Sequence, residues 1–337
     1  MNKYQNLVGR RAVPTRPLTV REQYEELQEN EDVRYLLGSM EPLDAVYTQQ
    51  TLKEAERVYR HFEPFSTVRL QGSVKTNTHI RYHSDIDVLT LTNDFVSWEQ
   101  KPATVSTYAG DPVATLKTLR QKSRATVQRE FPAVKIEDKN RALRLSGGSL
   151  QRNMDVVTAN WHNTITYTLT QEEKDRGIHV LDVSDNSRIF NKPFLHEYKL
   201  NQKNAITGDG LGRAVRLLKN LKADATTPIG ISSYDIGALV WNMDSTQLHG
   251  SPGASFQLAQ NCADFLRTAV DQDGARLRTF WVPNETRRII DPKEGASVRD
   301  VLLLWHELHL LLESIKRAGK ALDRRYNIAN RSLQLIY

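Results

Sequence analysis

The sequence predicts an α+β fold, with a mixed β-sheet built from the first half of the chain and a helical region in the second. Between residues 42 and 165 the pattern runs helix, strand, turn, strand, helix, strands. From Leu211 onward the apolar residues recur mainly at helical spacing. No apolar run reaches the length of a membrane span, and there is no internal repeat or low-complexity tract.

The elements follow in order. Residues 1–17 read as an irregular basic arm carrying Pro14 and Pro17, and Thr19 to Glu31 as a charged helix opened by a cap-like threonine. In PLDAVYTQQTLKEAERVYRHF (42–62), Leu43, Val46, Tyr47, Leu52, Ala55, Val58, Tyr59 and Phe62 repeat at helical spacing and predict a long helix. TVRLQGS is a short β-prone run ending at a Gly-Ser turn, and DIDVLTLT is a buried strand rich in β-branched residues. Residues 99–110 form a loop with Pro102 and Gly110, and 111–130 a helix with Pro112 in its first turn. AVKIED, RALRLSG and QRNMDVVTA are three strands, with a Gly-Gly turn between the last two. The segment 166–208 reads as polar and loop-rich, and helices are expected over 209–222, 233–243, 255–271 and 298–318. The organisation is then 1–40 as arm and helix, 41–165 as the sheet core, and 166–337 as a helical domain.

Composition narrows the class. The hydrophobic share of 39% is that of an ordinary soluble protein, and 337 residues suffice for one large domain or two ordinary ones. The single cysteine, Cys262, excludes an internal disulfide or a cysteine zinc cluster and suggests a reducing, cytoplasmic setting. The N-terminus has no continuous apolar core, so no secretory signal is expected. A net charge of +6 and a pI of about 9.2 favour an anionic ligand, a nucleoside triphosphate as readily as nucleic acid. Trp241, Trp281 and Trp305 read as core, and His306 and His309, without a third ligand nearby, as structural.

The chemistry lies in LQGSVKTNTHIRYHSDIDVLTLT. Asp85 and Asp87, one residue apart on a strand, point to the same face. Asp155 heads the apolar run of a later strand, and if the two strands are neighbours the three carboxylates converge. Such a group repels itself unless cations lie between its members, and its oxygen ligands suit Mg²⁺. Two such ions can clamp the attacking and leaving oxygens of a phosphoryl displacement. The upstream Gly72-Ser73 turn can offer backbone N–H groups and a hydroxyl to a phosphate. In the second half, Arg213, Arg216, Lys219 and Lys222 stand three apart as one basic helical stripe, each expected on a solvated face. Ser232-Ser233-Tyr234 then opens a helix, where hydroxyls and N–H groups favour anions and the tyrosine can stack on a base. His196, Glu197 and Lys199 lie near the junction of the two halves with no assigned role, and Arg81 faces either a phosphate or water.

Gly-Ser followed by Asp-x-Asp and a third Asp resembles the nucleotidyltransferase superfamily typified by DNA polymerase β. Val74 stands where many relatives carry an aromatic. The lysine helix followed by Ser-Ser-Tyr is similar to the oligoadenylate synthase and cyclic GMP–AMP synthase branch, including the bacterial cyclic-oligonucleotide synthases. The resemblance covers residues 45–245. It implies a polymerase-β-like sheet domain over 41–165, a helical domain over 166–337 and a central cleft between two lobes. It implies that Asp85, Asp87 and Asp155 are catalytic and hold two Mg²⁺, with Mn²⁺ able to substitute. It further implies that Gly72, Ser73, Lys219 and Ser233 hold the donor triphosphate while Tyr234 stacks on its base. The expected substrates are ATP and also GTP, UTP or CTP. The expected product is a cyclic di- or oligonucleotide signal for a separate effector, commonly in antiphage defence, with a regulatory protein as a further partner. The alternatives are nucleotide addition to tRNA or a small acceptor, and a non-catalytic nucleic-acid binder using the basic stripe. Neither a membrane nor RNA is a favoured partner.

Overall fold

The structure, a computed structural model, describes residues 30–334 apart from 82, 250–253 and 294, with side chains described as far as Lys320. The expected basic arm and nearly all of the Thr19–Glu31 helix lie outside the described residues. The chain divides into two compact units. One is Ser39–Leu308; the other joins the two ends, bounded by Gly38 and His309. Within the second, the Ser314 hydroxyl donates to the Asp32 carboxylate.

The larger unit is built on a mixed eight-stranded sheet. After helix α1 (Glu31–Met40), which begins in the smaller unit, α2 (Ala45–Tyr59) starts at Asp44, whose carboxylate accepts the Tyr47 N–H at 2.8 Å. β1 (Thr67–Gln71), β2 (Ile86–Leu91) and the short β3 (Ser97–Trp98) follow. Asp111 then caps α3 (Pro112–Glu130), with proline in its first turn as expected. β4 (Lys135–Asp138), β5 (Ala142–Ser146) and β6 (Met154–Asn163) complete the strands expected from the sequence. The central order is β1-β2-β6-β5-β4, with β2 and β6 parallel and the other neighbours antiparallel.

The segment 166–208 departs from its polar, loop-rich reading. Beyond α4 (Ile165–Thr170) it supplies β7 (Gly177–Asp182) and β8 (Ser187–Asn191), then α5 (Pro193–Ile206). β7 pairs antiparallel with the end of β6, so the sheet continues past residue 165. Helices α6 (Gly210–Asp224), α7 (Ser233–Trp241), α8 (Ser245–Leu248), α9 (Ser255–Gly274) and α10 (Val298–Gln334) follow, the last longer than expected and running into the smaller unit.

β2 is covered on both faces, which explains its nearly continuous apolar sequence. Ile86 and Val88 pack with Ala55, Val58 and Phe62 beneath α2 and with Val127 of α3. Leu89 and Leu91 pack on the other side with Trp161, Ile178 and Phe194 of α5. Asp87, alternating with Val88, lies on the α5 side. Trp281 is not core: it is 40% exposed, with the Arg288 guanidinium 4.0 Å from its ring centroid.

Three residues of the expected solvated basic stripe on α6 are buried instead, and Lys222 alone stays partly exposed. Arg213, Arg216 and Lys219 are 5%, 1% and 4% exposed. Their donors are spent on protein oxygens. Arg216 donates to Met40 O and Asn77 O, both at 2.7 Å, and pairs with Asp209 at 2.6 Å. Arg213 donates to Ser255 Oγ at 2.6 Å. Truncating the buried Arg216 guanidinium strands the Met40 and Asn77 carbonyls and leaves Asp209 unpaired, so Arg216→Ala should cost roughly 3–5 kcal/mol in urea unfolding. A loss below about 1 kcal/mol, the size of an exposed ion pair, would contradict this role.

Candidate active site

β1 delivers the chain to Gly72, where φ is +83°. A Cβ here would stand 2.1 Å from Asp87 Oδ2, so both the backbone angle and the approach of the carboxylate require glycine. The turn is closed by Lys75 N–H to Gly72 O at 3.1 Å and Thr78 N–H to Ser73 O at 2.9 Å. Gly72's own N–H, expected to face a phosphate, instead donates to Glu197 Oε1 of α5 at 2.9 Å. Ser73 is partly exposed beside it.

The parallel pairing of β2 and β6 sets Asp87 directly opposite Asp155. Asp85 lies one residue before β2 rather than within it. The next strand adds a group that sequence reasoning missed. Arg144 of β5 is the register partner of Asp155; it donates to Asp85 Oδ2 at 2.9 Å and stands 3.8 Å from Asp155 Oδ2. Burial, then Asp155 and Asp85, raise the Asp87 carboxyl to about 7. Burial also raises Asp155, against the pull of Arg144.

Among the described residues no three His, Cys, Asp or Glu side chains stand as a ready metal cage. The local chemistry nevertheless fits a hard divalent cation: the donors are carboxylate oxygens, Asp155 Oδ1 is buried without a hydrogen-bond partner, and a guanidinium bridges Asp85 and Asp155 where a cation would balance them.

Lys219 joins this group from α6. Its Nζ donates to Thr78 O at 2.8 Å and to Ser84 Oγ at 3.2 Å, tying down the segment between Ser73 and Asp85. Burial lowers its pKa to about 8, while Asp87 and Asp85 act in the opposite direction. Arg81 pairs with Asp44 at 3.5 Å.

Ser233 and Tyr234 stand at the start of α7. Ser232 is the cap, accepting the Asp235 N–H at 3.0 Å, which leaves Ser233 exposed in the first turn. Tyr234 is half-buried and stacks on His196 of α5, with centroids 3.9 Å apart and planes at 13°. Arg287 lies 5.5 Å from its ring centroid and pairs with the buried Asp235 at 2.7 Å. Burial pushes the Tyr234 phenol well up and the His196 imidazole down to about 3, so His196 is neutral. The structure therefore brings Gly72, Asp85, Asp87, Asp155 and Lys219 into one electrostatic group. Ser233 and Tyr234 belong to a separate element, linked to that group through His196 and Glu197.

The cyclic dinucleotide synthase CdnE of Yersinia aleksiciae is 32% identical over 273 residues, covering 78% of this chain and 72% of the relative. The chain belongs to the cGAS/DncV-like nucleotidyltransferase family. The profile of the cGAS/DncV-like nucleotidyltransferase C-terminal helical domain matches residues 198–313. Two solved structures share the cGAS/DncV-like fold. A STING-associated CdnE c-di-GMP synthase from Flavobacteriaceae sp. aligns with a TM-score of 0.71 at 20% identity, covering 86% of this chain and 88% of that one. The Rhodothermus marinus CdnE c-UMP-AMP synthase with Apcpp and Upnpp aligns with a TM-score of 0.65 at 17% identity, covering 83% and 96%. The protein is thus a nucleotidyltransferase, of a family that works with divalent metals.

Gly72→Ala should displace Asp87 and lower pyrophosphate release from nucleoside triphosphates by on the order of 10²-fold, with far-UV circular dichroism unchanged. Activity near that of the unmodified enzyme would show that the close approach of Gly72 to Asp87 is not needed.

Proposed function

We propose that the enzyme joins nucleoside triphosphates into a cyclic di- or oligonucleotide and releases pyrophosphate. The observation that carries this reading is the in-register pair Asp87 and Asp155, with Asp85 beside them and the Gly72-Ser73 turn against Asp87. It is supported by 32% identity to a cyclic dinucleotide synthase.

On this reading the Ser73 hydroxyl and the exposed Ser233 at the start of α7 bind the donor triphosphate and Tyr234 supports its base, while Lys219, expected to hold phosphate, instead ties down the Thr78–Ser84 segment behind Ser73 through its bonds to Thr78 O and Ser84 Oγ. Asp85, Asp87 and Asp155 would hold the divalent metal, two Mg²⁺ or Mn²⁺ ions, which when bound lowers the pKa of the acceptor hydroxyl and neutralises the leaving pyrophosphate. The acceptor ribose hydroxyl attacks the donor α-phosphorus and the α–β phosphoanhydride bond breaks. Asp155, raised by burial, takes the hydroxyl proton. A second transfer on the product, turned around in the site, closes the ring.

The product would act as a second messenger for a separate effector in bacterial antiphage signalling within the cytoplasm, with a regulatory protein as a further partner. The description of one relative as STING-associated supports an effector-linked role. Transfer to tRNA or another macromolecule is less favoured, because Arg213, Arg216 and Lys219 are buried against the protein's own oxygens. Their burial weighs equally against a non-catalytic nucleic-acid binder. The relatives' products differ, c-di-GMP in one and c-UMP-AMP in another, so base choice is read from the reaction itself.

Incubation with Mg²⁺ and an equimolar mixture of nucleoside triphosphates should give a small cyclic oligonucleotide by mass spectrometry. Turnover that appears only when RNA is added would contradict the proposal. Metal binding requires ionised Asp87, whose pKa in the metal-free protein is raised to about 7. Affinity should therefore rise with pH up to about 7 and level off above it, with Mn²⁺ binding about tenfold weaker at pH 6 than at pH 8 by calorimetry. A flat profile would remove Asp87 from the metal site.

A further inference from the structure

Helix α5 places two adjacent side chains against the two parts of the site that are farthest apart in sequence. Glu197 accepts the Gly72 N–H at 2.9 Å across 125 residues of chain. Its neighbour His196 forms the stacked floor of Tyr234 at 3.9 Å. One helical turn beyond Glu197, Asn201 Nδ2 lies 3.5 Å from Lys75 O, a second and weaker tie to the same turn.

Burial raises the Glu197 carboxyl to about 7, and its ionised form runs against any role in attracting a triphosphate. The carboxyl is half-buried, lies close enough to Asp87 to help raise it, and would repel phosphate. What the group supplies is geometric. A glycine at positive φ is the most conformationally free residue in the turn, and a carboxylate oxygen fixed on a helix restricts it. Restricting Gly72 also fixes Asp87, since the two are in direct contact.

We infer that Glu197 is a positioning residue for the Gly72-Ser73 turn, and that α5 thereby sets the spacing between the phosphate-binding turn and the Tyr234 base platform. This rests on the nucleotide roles proposed above for Ser73 and Tyr234. Glu197 acts through its hydrogen bond, not through its charge or by contact with the reacting atoms.

The test measures binding of the fluorescent analogue MANT-ATP alongside product formation. Glu197→Gln keeps an acceptor oxygen at the same reach and removes the charge. Glu197→Asp keeps the charge and withdraws the oxygen by one methylene. Glu197→Asp and Glu197→Ala should each weaken MANT-ATP binding by about tenfold or more, the cost of leaving the half-buried Gly72 N–H without an acceptor. Glu197→Gln should stay within about threefold of the unmodified protein. Glu197→Gln impaired as much as Glu197→Ala, or Glu197→Asp behaving as unmodified, overturns the inference. The aspartate and glutamine variants decide the matter even where the alanine variant fails to fold. Because binding is read separately from turnover, a protein that binds MANT-ATP but makes no cyclic product would count against the proposed function and leave this test intact.

Discussion

Two carboxylates held opposite each other by backbone pairing, with a third just before the strand, are the constraint around which this site is arranged. The parallel ladder between β2 and β6 sets Asp87 and Asp155 directly opposite each other, and Asp85 stands one residue before β2. Charges so placed repel, and burial makes the repulsion costly. Burial first, and the neighbouring carboxylates second, raise the carboxyls of Asp87 and Asp155. The surroundings answer this cost. Arg144 reaches across from β5, Lys219 approaches from α6, and Gly72 gives up a side chain so that Asp87 can lie against the backbone. A fold seeking stability alone would not pair these residues; a site that takes up divalent cations gains from an excess of negative charge.

The second half of the chain supports this site as much as it adds to it. Arg216 and Lys219 bond to carbonyls of Asn77 and Thr78, within the segment that connects Ser73 to Asp85. That segment has little regular structure, and α6 provides the donors its carbonyls need. Arg213, Arg216 and Lys219 of α6 are therefore internal scaffolding, and the net positive charge of the chain overstates what its surface offers to an anionic partner.

Much of the fold was legible because its signals are local. The β-branched run after Asp85, the Pro112 helix start and the Gly-Gly turn between β5 and β6 each carry their own propensity. The carboxylate site was legible because alternation along strands fixes side-chain direction once the strands are neighbours. What escaped depends on pairing that no local pattern encodes. Arg144 looked like any strand arginine until register set it opposite Asp155. Glu197 shows no role in the sequence because its partner lies 125 residues away. Spacing of three places Arg213, Arg216 and Lys219 on one helix face but does not say whether water or protein covers it. GIHVLD and SRIFN are short and part polar, so β7 and β8 did not stand out from the loops around them.

If the ladder holds Asp87 where its charge is unwelcome, the metal-free protein must lose stability when that charge forms. Burial, with Asp155 and Asp85 beside it, pushes the Asp87 carboxyl up to about 7 in the fold, against an ordinary value of 3.8. The folded state therefore keeps a proton that the unfolded chain has lost, and stability falls as pH rises from about 4 to about 7. Asparagine at this position has no charge to form. The most direct test is urea unfolding of the unmodified protein and Asp87→Asn in the presence of a chelator, at pH 8 and near pH 4. The account predicts that Asp87→Asn is the more stable of the two at pH 8, with the gap narrowing towards pH 4. An asparagine variant less stable than the unmodified protein at pH 8 would show that the Asp87 carboxylate stabilises the fold, and would contradict the account.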